Sequence, residues 1–393
     1  MTTADRPHDI VLFGATGFTG ALTAEYLARR APDGCRWALA GRSKAKLEAL
    51  RDRLAALNPA CASLPLLHAD VTDRDSLHEV AAATRVVITT VGPYLEYGEG
   101  LVAACAENGT DYVDLTGEPE FADRMYLAHH ETARRTGARI VHACGFDSIP
   151  YDLGVYHTVR QLPEHAPITV TGRLRVRAEF SGGTYSSALT VFSRARTMAR
   201  IARRRRQAEP WPKDRRIHIP SGPPKRDPEG GGWLVPLPTI DPQIVARSAA
   251  ALERYGPEFT YHHTASVKRL PTIAVAGLGL GVLALLAQVP PARQALGRLR
   301  KTGEGPSEQR RARSWFSVRF TGEGGGQRVV TEFAGGDPGY DETAKMLAES
   351  ALCLAFDDLP PTSGQVTTAV AMGDPLLTRL TDAGLRIRTL EPS

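Results

Sequence analysis

The chain has 393 residues, 42% hydrophobic and 23% charged, a make-up that excludes a disordered or fibrous chain and suits a folded protein of two or three domains. Net charge is +5, and the surplus is local: Arg194, Arg196, Arg200 and residues 203–206 form one basic block, and residues 293–313 carry a second. Five cysteines (Cys35, Cys61, Cys105, Cys144 and Cys353) are odd in number and lack C-x-x-C spacing, which argues against a disulfide framework or a zinc site and fits a reducing cytoplasm. No apolar h-region follows Met1, so no signal peptide is expected.

Residues 9–13 read as a short apolar strand that runs straight into Gly14-Ala15-Thr16-Gly17-Phe18-Thr19-Gly20 and then into an amphipathic helix over 21–30. Strand, glycine turn and helix without a spacer make the first βα unit of a dinucleotide-binding fold. Glycines there let the backbone approach a pyrophosphate, and the N–H groups and dipole of the helix N-terminus favour the anion. Residues 14–20 are therefore assigned to cofactor binding. Their G-x-x-G-x-x-G spacing is a weak signal alone and gains weight from the second βα unit. In that unit a strand over 36–40 ends in Gly41-Arg42-Ser43-Lys44, followed by a helix over 45–57. NAD-binding units place a carboxylate at this strand end for the ribose 2′-hydroxyl. Arg42, Ser43 and Lys44 instead suit a 2′-phosphate, since a guanidinium pairs with it in a fork and stacks on adenine. The expected cofactor is NADP(H) rather than NAD(H); the plain alternative for Arg42 is a solvated strand-end cation.

The alternation continues. Residues 64–69 form a third strand ending at Asp70, which joins the cofactor-binding set. A helix over 75–83, a strand over 85–91, a helix over 98–108 and strands over 111–115 and 139–144, separated by a helix over 120–136, complete the region. This pattern predicts a Rossmann-type doubly wound parallel sheet, an α/β domain over residues 1–150. The fourth-strand exit, Val91-Gly92-Pro93-Tyr94, is the first candidate for the active centre, because ligands lie over the carboxyl ends of such strands near the reversal of strand order. Val91, Gly92 and Pro93 are expected beside the nicotinamide ribose. Tyr94 is a candidate catalytic residue, able to donate to a developing oxyanion, or else a turn tyrosine packed at the domain interface. Next comes Cys144-Gly145-Phe146-Asp147-Ser148-Ile149-Pro150. Asp147 is a second catalytic candidate, and Gly145, Phe146 and Ser148 are candidate substrate contacts; ordinary turn chemistry is the alternative. Thr116-Gly117-Glu118 is a weaker third candidate.

After residue 150 the pattern changes. Residues 168–178 alternate with period two, as in an antiparallel sheet with one solvated face. Residues 314–320 and 328–333 flank the glycine-rich stretch 322–326 and read as a hairpin. A helix over 184–206 and a Pro- and Gly-rich stretch over 209–238, expected as a loop over the sheet or as partly disordered, lie between, giving a second α+β domain over 151–339. A helix over 340–356 and a tail over 367–390 are expected to return to the first domain, which assigns it 340–393. His262 and His263 would point apart on a strand, as surface or core residues, and no metal-binding spacing is present. A Tyr-x-x-x-Lys pair after the fifth strand, the mark of short-chain dehydrogenases, is absent. Residues 272–289 carry no charge and are flanked by Lys268-Arg269 and by Arg293, Arg298, Arg300 and Lys301. Their length is at the lower limit for a span, about 20 residues, and Gly277, Gly279 and Gly281 weaken an isolated helix. A buried or lipid-facing helix or hairpin is expected rather than a crossing. The cationic flanks favour peripheral contact with an anionic membrane surface or with the carrier of an apolar substrate. The basic blocks come with no nucleic-acid recognition motif. An oligomer is compatible with everything read so far.

Taken in order, Gly14-Ala-Thr-Gly-Phe-Thr-Gly20, Leu39-Ala-Gly-Arg-Ser43, Thr89-Thr-Val-Gly-Pro-Tyr94, Asp111-Tyr-Val-Asp-Leu-Thr-Gly-Glu118, His142-Ala-Cys-Gly-Phe-Asp-Ser-Ile-Pro150, Phe180-Ser-Gly-Gly-Thr184, Gly336-Asp-Pro-Gly-Tyr340 and Ala371-Met-Gly-Asp-Pro375 resemble the saccharopine dehydrogenase-like oxidoreductases. The likeness is greatest to the actinobacterial branch described as trans-acting enoyl reductases. It implies NADP(H)-linked reduction of an unsaturated polyketide or fatty acyl chain carried on a synthase. Two alternatives stand beside it. One is a saccharopine-type amino-acid oxidoreductase, disfavoured because the apolar segment replaces the cations that an amino-dicarboxylate needs and the block at Cys144 departs from the Pro-Gly version of those enzymes. The other is a membrane-associated nucleotide-binding scaffold without turnover.

Overall fold

A computed structural model describes residues 6–178, 193–269, 271, 279, 286 and 305–390. The chain divides into two compact units, one of Met1–Phe146, Gly303–Gly305 and Gly339–Ala383, the other of Asp147–Thr302, Pro306–Pro338 and Gly384–Ser393.

The first unit is built on the parallel strands β1 (His8–Phe13), β2 (Trp37–Gly41), β3 (Leu66–His68), β4 (Thr84–Thr89), β5 (Asp111–Val113), β6 (Arg139–Val141) and β14 (Gly364–Val366). Their order is β14-β6-β5-β4-β1-β2-β3, and every pairing is parallel. The order therefore reverses between β1 and β4. Connections run through α1 (Phe18–Arg30), α2 (Lys44–Leu57), α3 (Arg74–Ala83), α4 (Tyr94–Tyr97), α5 (Glu99–Asn108) and α6 (Pro119–Thr136). Covering helices explain why Ile10–Phe13 and Val86–Ile88 read as unbroken apolar runs: all are buried. This is the doubly wound sheet the sequence predicts.

A late helix, α11 (Asp341–Phe356), lies against α1, β1, β4 and β5. It is buried almost all round, and its charged Glu342, Lys345 and Glu349 share one face at helical spacing. The carboxylate of Glu349 inside it is met by the Tyr26 hydroxyl at 2.6 Å and by Arg379 at 3.3 Å. Two further helices, α12 (Thr368–Ala371) and α13 (Gly373–Asp382), close the unit.

The second unit carries an eight-stranded sheet of β7 (Ile168–Arg177), β8 (Arg216–His218), β9 (Lys225–Arg226), β10 (Trp233–Pro236), β11 (Glu258–Val267), β12 (Trp315–Gly324), β13 (Gln327–Gly335) and β15 (Arg386–Leu390). Its path is β15-β13-β12-β7-β11-β10-β9, with β8 on β11. The expected antiparallel sheet is in fact mixed, since β11 runs parallel to both β7 and β8. The β12–β13 hairpin turns on two residues, Gly325 and Gly326, at φ 57° and 75°. Positive φ at both central positions matches the right-handed twist of the strands, so the ladder continues through 322–324, where the sequence suggested turn. Residues 209–238, expected as loop, carry β8, β9 and β10. Helices α7 (Ile149–Val159), α8 (Ala195–Ala208), α9 (Asp241–Ala251) and the short α10 (Glu308–Arg311) belong to this unit.

The tail divides: α12 and α13 stay in the first unit, whereas β15 pairs antiparallel with β13 in the second. Residues 184–192 of the expected helix, the Phe180–Thr184 block and segment 272–289, save Gly279 and Leu286, lie outside the described residues. Among the described residues no helix is long and apolar enough to cross a membrane.

Candidate active site

In the first unit the β1–α1 turn and the β4 exit are locked together. The Thr90 amide donates to the Phe13 carbonyl at 3.1 Å and the Thr90 hydroxyl to the Gly14 carbonyl at 3.1 Å. A methyl group on Gly14 would stand 2.6 Å from Val91 Cγ2, and one on Gly20 would stand 2.2 Å from the Gly14 carbonyl oxygen. Glycine is required at both positions by close approach. Thr16 and Gly17 form the exposed tip of the turn. The N-terminus of α1 has no side-chain cap and no acidic residue in its first turn, so nothing there competes with an anion. Ala15 is buried below the turn, and the Phe18 ring packs edge-on against Tyr340 at 4.8 Å. Residues 14–20 and Val91, Gly92 and Pro93 thus flank the reversal of strand order, with a cis Gly92–Pro93 peptide.

At the end of β2, Arg42 is exposed and makes no ion pair or hydrogen bond among the described residues. Ser43 precedes α2 without capping it, and Lys44 opens the helix, exposed, with Glu48 3.9 Å away. Asp70 lies near Arg42; the amide and hydroxyl of Thr72 hold its carboxyl below the ordinary range, with Arg42 adding to the shift. A guanidinium, a hydroxyl and an uncapped helix start are the donors that a 2′-phosphate needs. The residues present fit an NADP molecule.

Tyr94 sits deeper. Its ring is buried in the core of this unit, its hydroxyl donates to the Thr89 carbonyl at 3.2 Å, and the Leu115 amide donates to it at 3.1 Å. Burial first, then the charge of Asp114, pushes the phenol well above its usual range. The Glu118 carboxylate accepts from the amides of Tyr94 at 3.2 Å and Leu95 at 2.9 Å. Asp114 is fully buried and accepts four bonds, from the Tyr112 hydroxyl, His142 Nδ1 and the amides of Thr116 and Ala143, at 2.6–3.0 Å. Among the described residues His142 Nε2 has no hydrogen-bond partner. Gly145 packs between Leu115 and Thr343, and the Phe146 amide donates to the Thr343 hydroxyl at 3.1 Å.

In the second unit Asp147 is half-buried, and its carboxyl makes no hydrogen bond among the described residues. Burial, reinforced by the neighbouring Asp241 carboxylate, pushes it up to about 7. Ser148, fully buried at φ 110°, precedes α7 and donates to Asp241 at 3.3 Å. Asp241 begins α9 and also accepts from the Thr239 hydroxyl, with His263 Nε2 at 3.3 Å. His263 Nδ1 meets the Tyr261 hydroxyl at 3.0 Å, and the Tyr151 ring stacks edge-on at 4.7 Å. Burial holds the Tyr151 and Tyr261 phenols well above their usual range.

Residues 10–141 match the family described as the saccharopine dehydrogenase NADP binding domain. A provisionally named trans-acting enoyl reductase of Mycobacterium tuberculosis is 41% identical over 421 residues, covering 99% of each chain. A trans-acting enoyl reductase of Mycobacterium ulcerans is 38% identical over 98% of each. The chain belongs to the trans-acting enoyl reductase branch of the saccharopine dehydrogenase-like oxidoreductases. Its fold is that of the apo L-Glu-forming saccharopine dehydrogenase of Saccharomyces cerevisiae, at TM-score 0.55 and 14% identity over 98% of this chain and 100% of that one. This trans-acting enoyl reductase relative is an NADP-dependent oxidoreductase, and NADP(H) is its cofactor.

Sequence reasoning reached Asp147 but missed the residues around it in this family member. The available signals were Thr239-Ile-Asp241-Pro242, which reads as a helix start, and the period-two spacing of Tyr261 and His263, which places both on one strand face. His262 and His263 do point apart; the informative neighbour was two residues away.

Proposed function

We propose that the protein reduces the carbon–carbon double bond of an α,β-unsaturated acyl thioester, a polyketide or fatty acyl chain presented by a separate synthase. The observation that carries this reading is 38–41% identity, over essentially the whole chain, to relatives named trans-acting enoyl reductases. When bound, NADPH supplies a hydride to the β-carbon, and the double-bond electron pair moves onto the thioester oxygen as an enolate.

The protein's own groups have separate tasks. Residues 14–20 hold the pyrophosphate, Arg42, Ser43 and Lys44 hold the 2′-phosphate, and Asp70 orients Arg42 from across the strand ends. Val91, Gly92 and Pro93 border the nicotinamide ribose. Asp147, as the neutral acid, gives its proton to the α-carbon of the enolate and recovers one from water. A carboxyl near 7 is matched to that task, because it is both substantially protonated at neutral pH and able to release the proton. Gly145, Phe146 and Ser148 contact the thioester. Both hydrogen-bonding directions of the Tyr94 hydroxyl are taken by backbone groups, so its part is to position the strand-end loops rather than to meet an oxyanion.

The test is NADPH oxidation with a panel of long enoyl thioesters beside saccharopine and aminoadipate semialdehyde, with mass spectrometry of the products. A saturated acyl product supports the reading. Turnover of the amino acids alone rejects it.

A further inference from the structure

Helix α8 is held by one face only. Ile201 and Arg205 are buried, and Arg205 donates twice to Glu209, at 3.0 Å each, while Arg247 of α9 reaches the same carboxylate at 3.0 and 3.2 Å. Burial pushes Glu209 up, but the two arginines outweigh it and hold the carboxyl below its ordinary range. Opposite this anchor the helix presents Arg196, Arg200 and Arg203, with Arg204 and Arg206 on the flanks. All five are exposed, and none makes an ion pair or hydrogen bond among the described residues. Spacings of four, three and one place the first four along a single stripe, and 196 to 206 span about 15 Å at 1.5 Å per residue.

Among the described residues nothing intramolecular explains the stripe. No Asp or Glu occurs between residues 180 and 208, so no i,i+4 carboxylate answers these cations. Arg196/Arg200, Arg200/Arg203, Arg200/Arg204 and Arg203/Arg206 are like-charge neighbours that oppose helix formation. Arg196 in addition sits in the first turn, where the helix dipole disfavours a cation. Arg173 of the same unit, by contrast, lies 3.4 Å from Asp227 and 3.0 Å from Glu229.

We propose that the Arg196–Arg200–Arg203–Arg204 stripe of α8 docks an acidic carrier domain, the protein that holds the acyl thioester. The proposal rests on the trans-acting reduction argued above, in which the substrate arrives attached to another protein. A lipid surface fits less well. Interfacial helices insert an apolar face beside their cations, whereas the apolar side of α8 is spent on the protein and the stripe offers no large apolar residue. Guanidiniums set along a fixed helix suit bidentate pairing with a row of carboxylates.

The experiment compares one acyl group in two forms: crotonyl thioester on the phosphopantetheine arm of an acidic acyl carrier protein, and crotonyl-N-acetylcysteamine. The variant R196E/R200E/R203E is expected to raise KM for the carrier-borne form about tenfold or more, leaving kcat and the KM of the small thioester unchanged. R200Q/R203Q should fall between, and added salt should weaken the wild type in the same way. Direct titration of the unacylated carrier reads docking without turnover, so a wild type inactive on both substrates defeats the reductase reading while this titration still decides the docking. Equal carrier affinity in wild type and the reversal variant overturns the proposal, as does an equal loss on both substrates. Loss of binding to phosphatidylcholine–phosphatidylglycerol vesicles with carrier affinity intact overturns it in favour of lipid.

Discussion

Asp114 in the first unit and Asp147 in the second are the same side chain in opposite surroundings. Asp114 accepts four hydrogen bonds and pins the ends of β5 and β6; Asp147 accepts none among the described residues and faces a second carboxylate. Burial alone therefore says little about the role of a carboxyl group. What separates a structural pin from a proton donor is whether neighbouring donors are spent on it.

The sharpest way to break this contrast is to remove the pin. D114A strips partners from Tyr112, His142 and two amides, and should destabilise the protein by about 3–5 kcal/mol, read as a lowered denaturation midpoint or loss of soluble protein. A cost below about 1 kcal/mol would show that the network is incidental.

Next in size is D147N, expected to lower kcat about a hundredfold with the fold intact. In the wild type kcat/KM should fall as pH rises through about 7, because the neutral acid is the working form; the variant should lose that limb. The stability sign runs the other way from an ion-paired aspartate. From the ordinary value of 3.8 up to about 7 the folded state binds more protons than the unfolded one, so this group's contribution to stability falls as pH rises. D147N should be more stable than the wild type above pH 7, and equal thermal melts there would count against the raised carboxyl.

Reversing the cation at the end of β2 is a smaller change. R42D should weaken NADPH about ten- to a hundredfold with little effect on NADH, measured by fluorescence titration; equal losses would contradict the 2′-phosphate assignment. Y94F is the mildest. It leaves the Leu115 amide unpaired in the core, costing about 1–3 kcal/mol of stability, and should change kcat by less than the D147N exchange does. A larger loss of kcat at unchanged stability would return Tyr94 to the chemistry.

Much of the first unit is legible in the sequence because its signals are local. A parallel strand buried on both faces is an unbroken apolar run, and the glycine turn, the helix and the cation at the end of β2 follow at fixed distances. Strand ends were read too long: residues 90–91, 114–115 and 142–144 leave the ladder, with Leu115 bonding Tyr94 and Asp114 bonding His142 and Ala143, a pairing set by residues far apart in the chain. The second unit resisted for the same reason. Residues 233–236 become a strand only because β11 accepts them, and Tyr94 reads as a free donor until Thr89 and Leu115 claim its hydroxyl. The Asp241–His263 pair joins residues 22 positions apart, and no periodicity announces it.

The order in which the chain visits its two units has a consequence for how such proteins can change. The Rossmann body is not encoded by one continuous stretch: α11, which covers β1, β4 and β5, comes some two hundred residues after β6, and the last strand belongs to the other body. A gene fusion or recombination event that transplanted only the first 146 codons would deliver a sheet stripped of its cover. Altered coenzyme preference in descendants of this ancestor should therefore arise through single codon changes around Arg42, and not through exchange of whole modules.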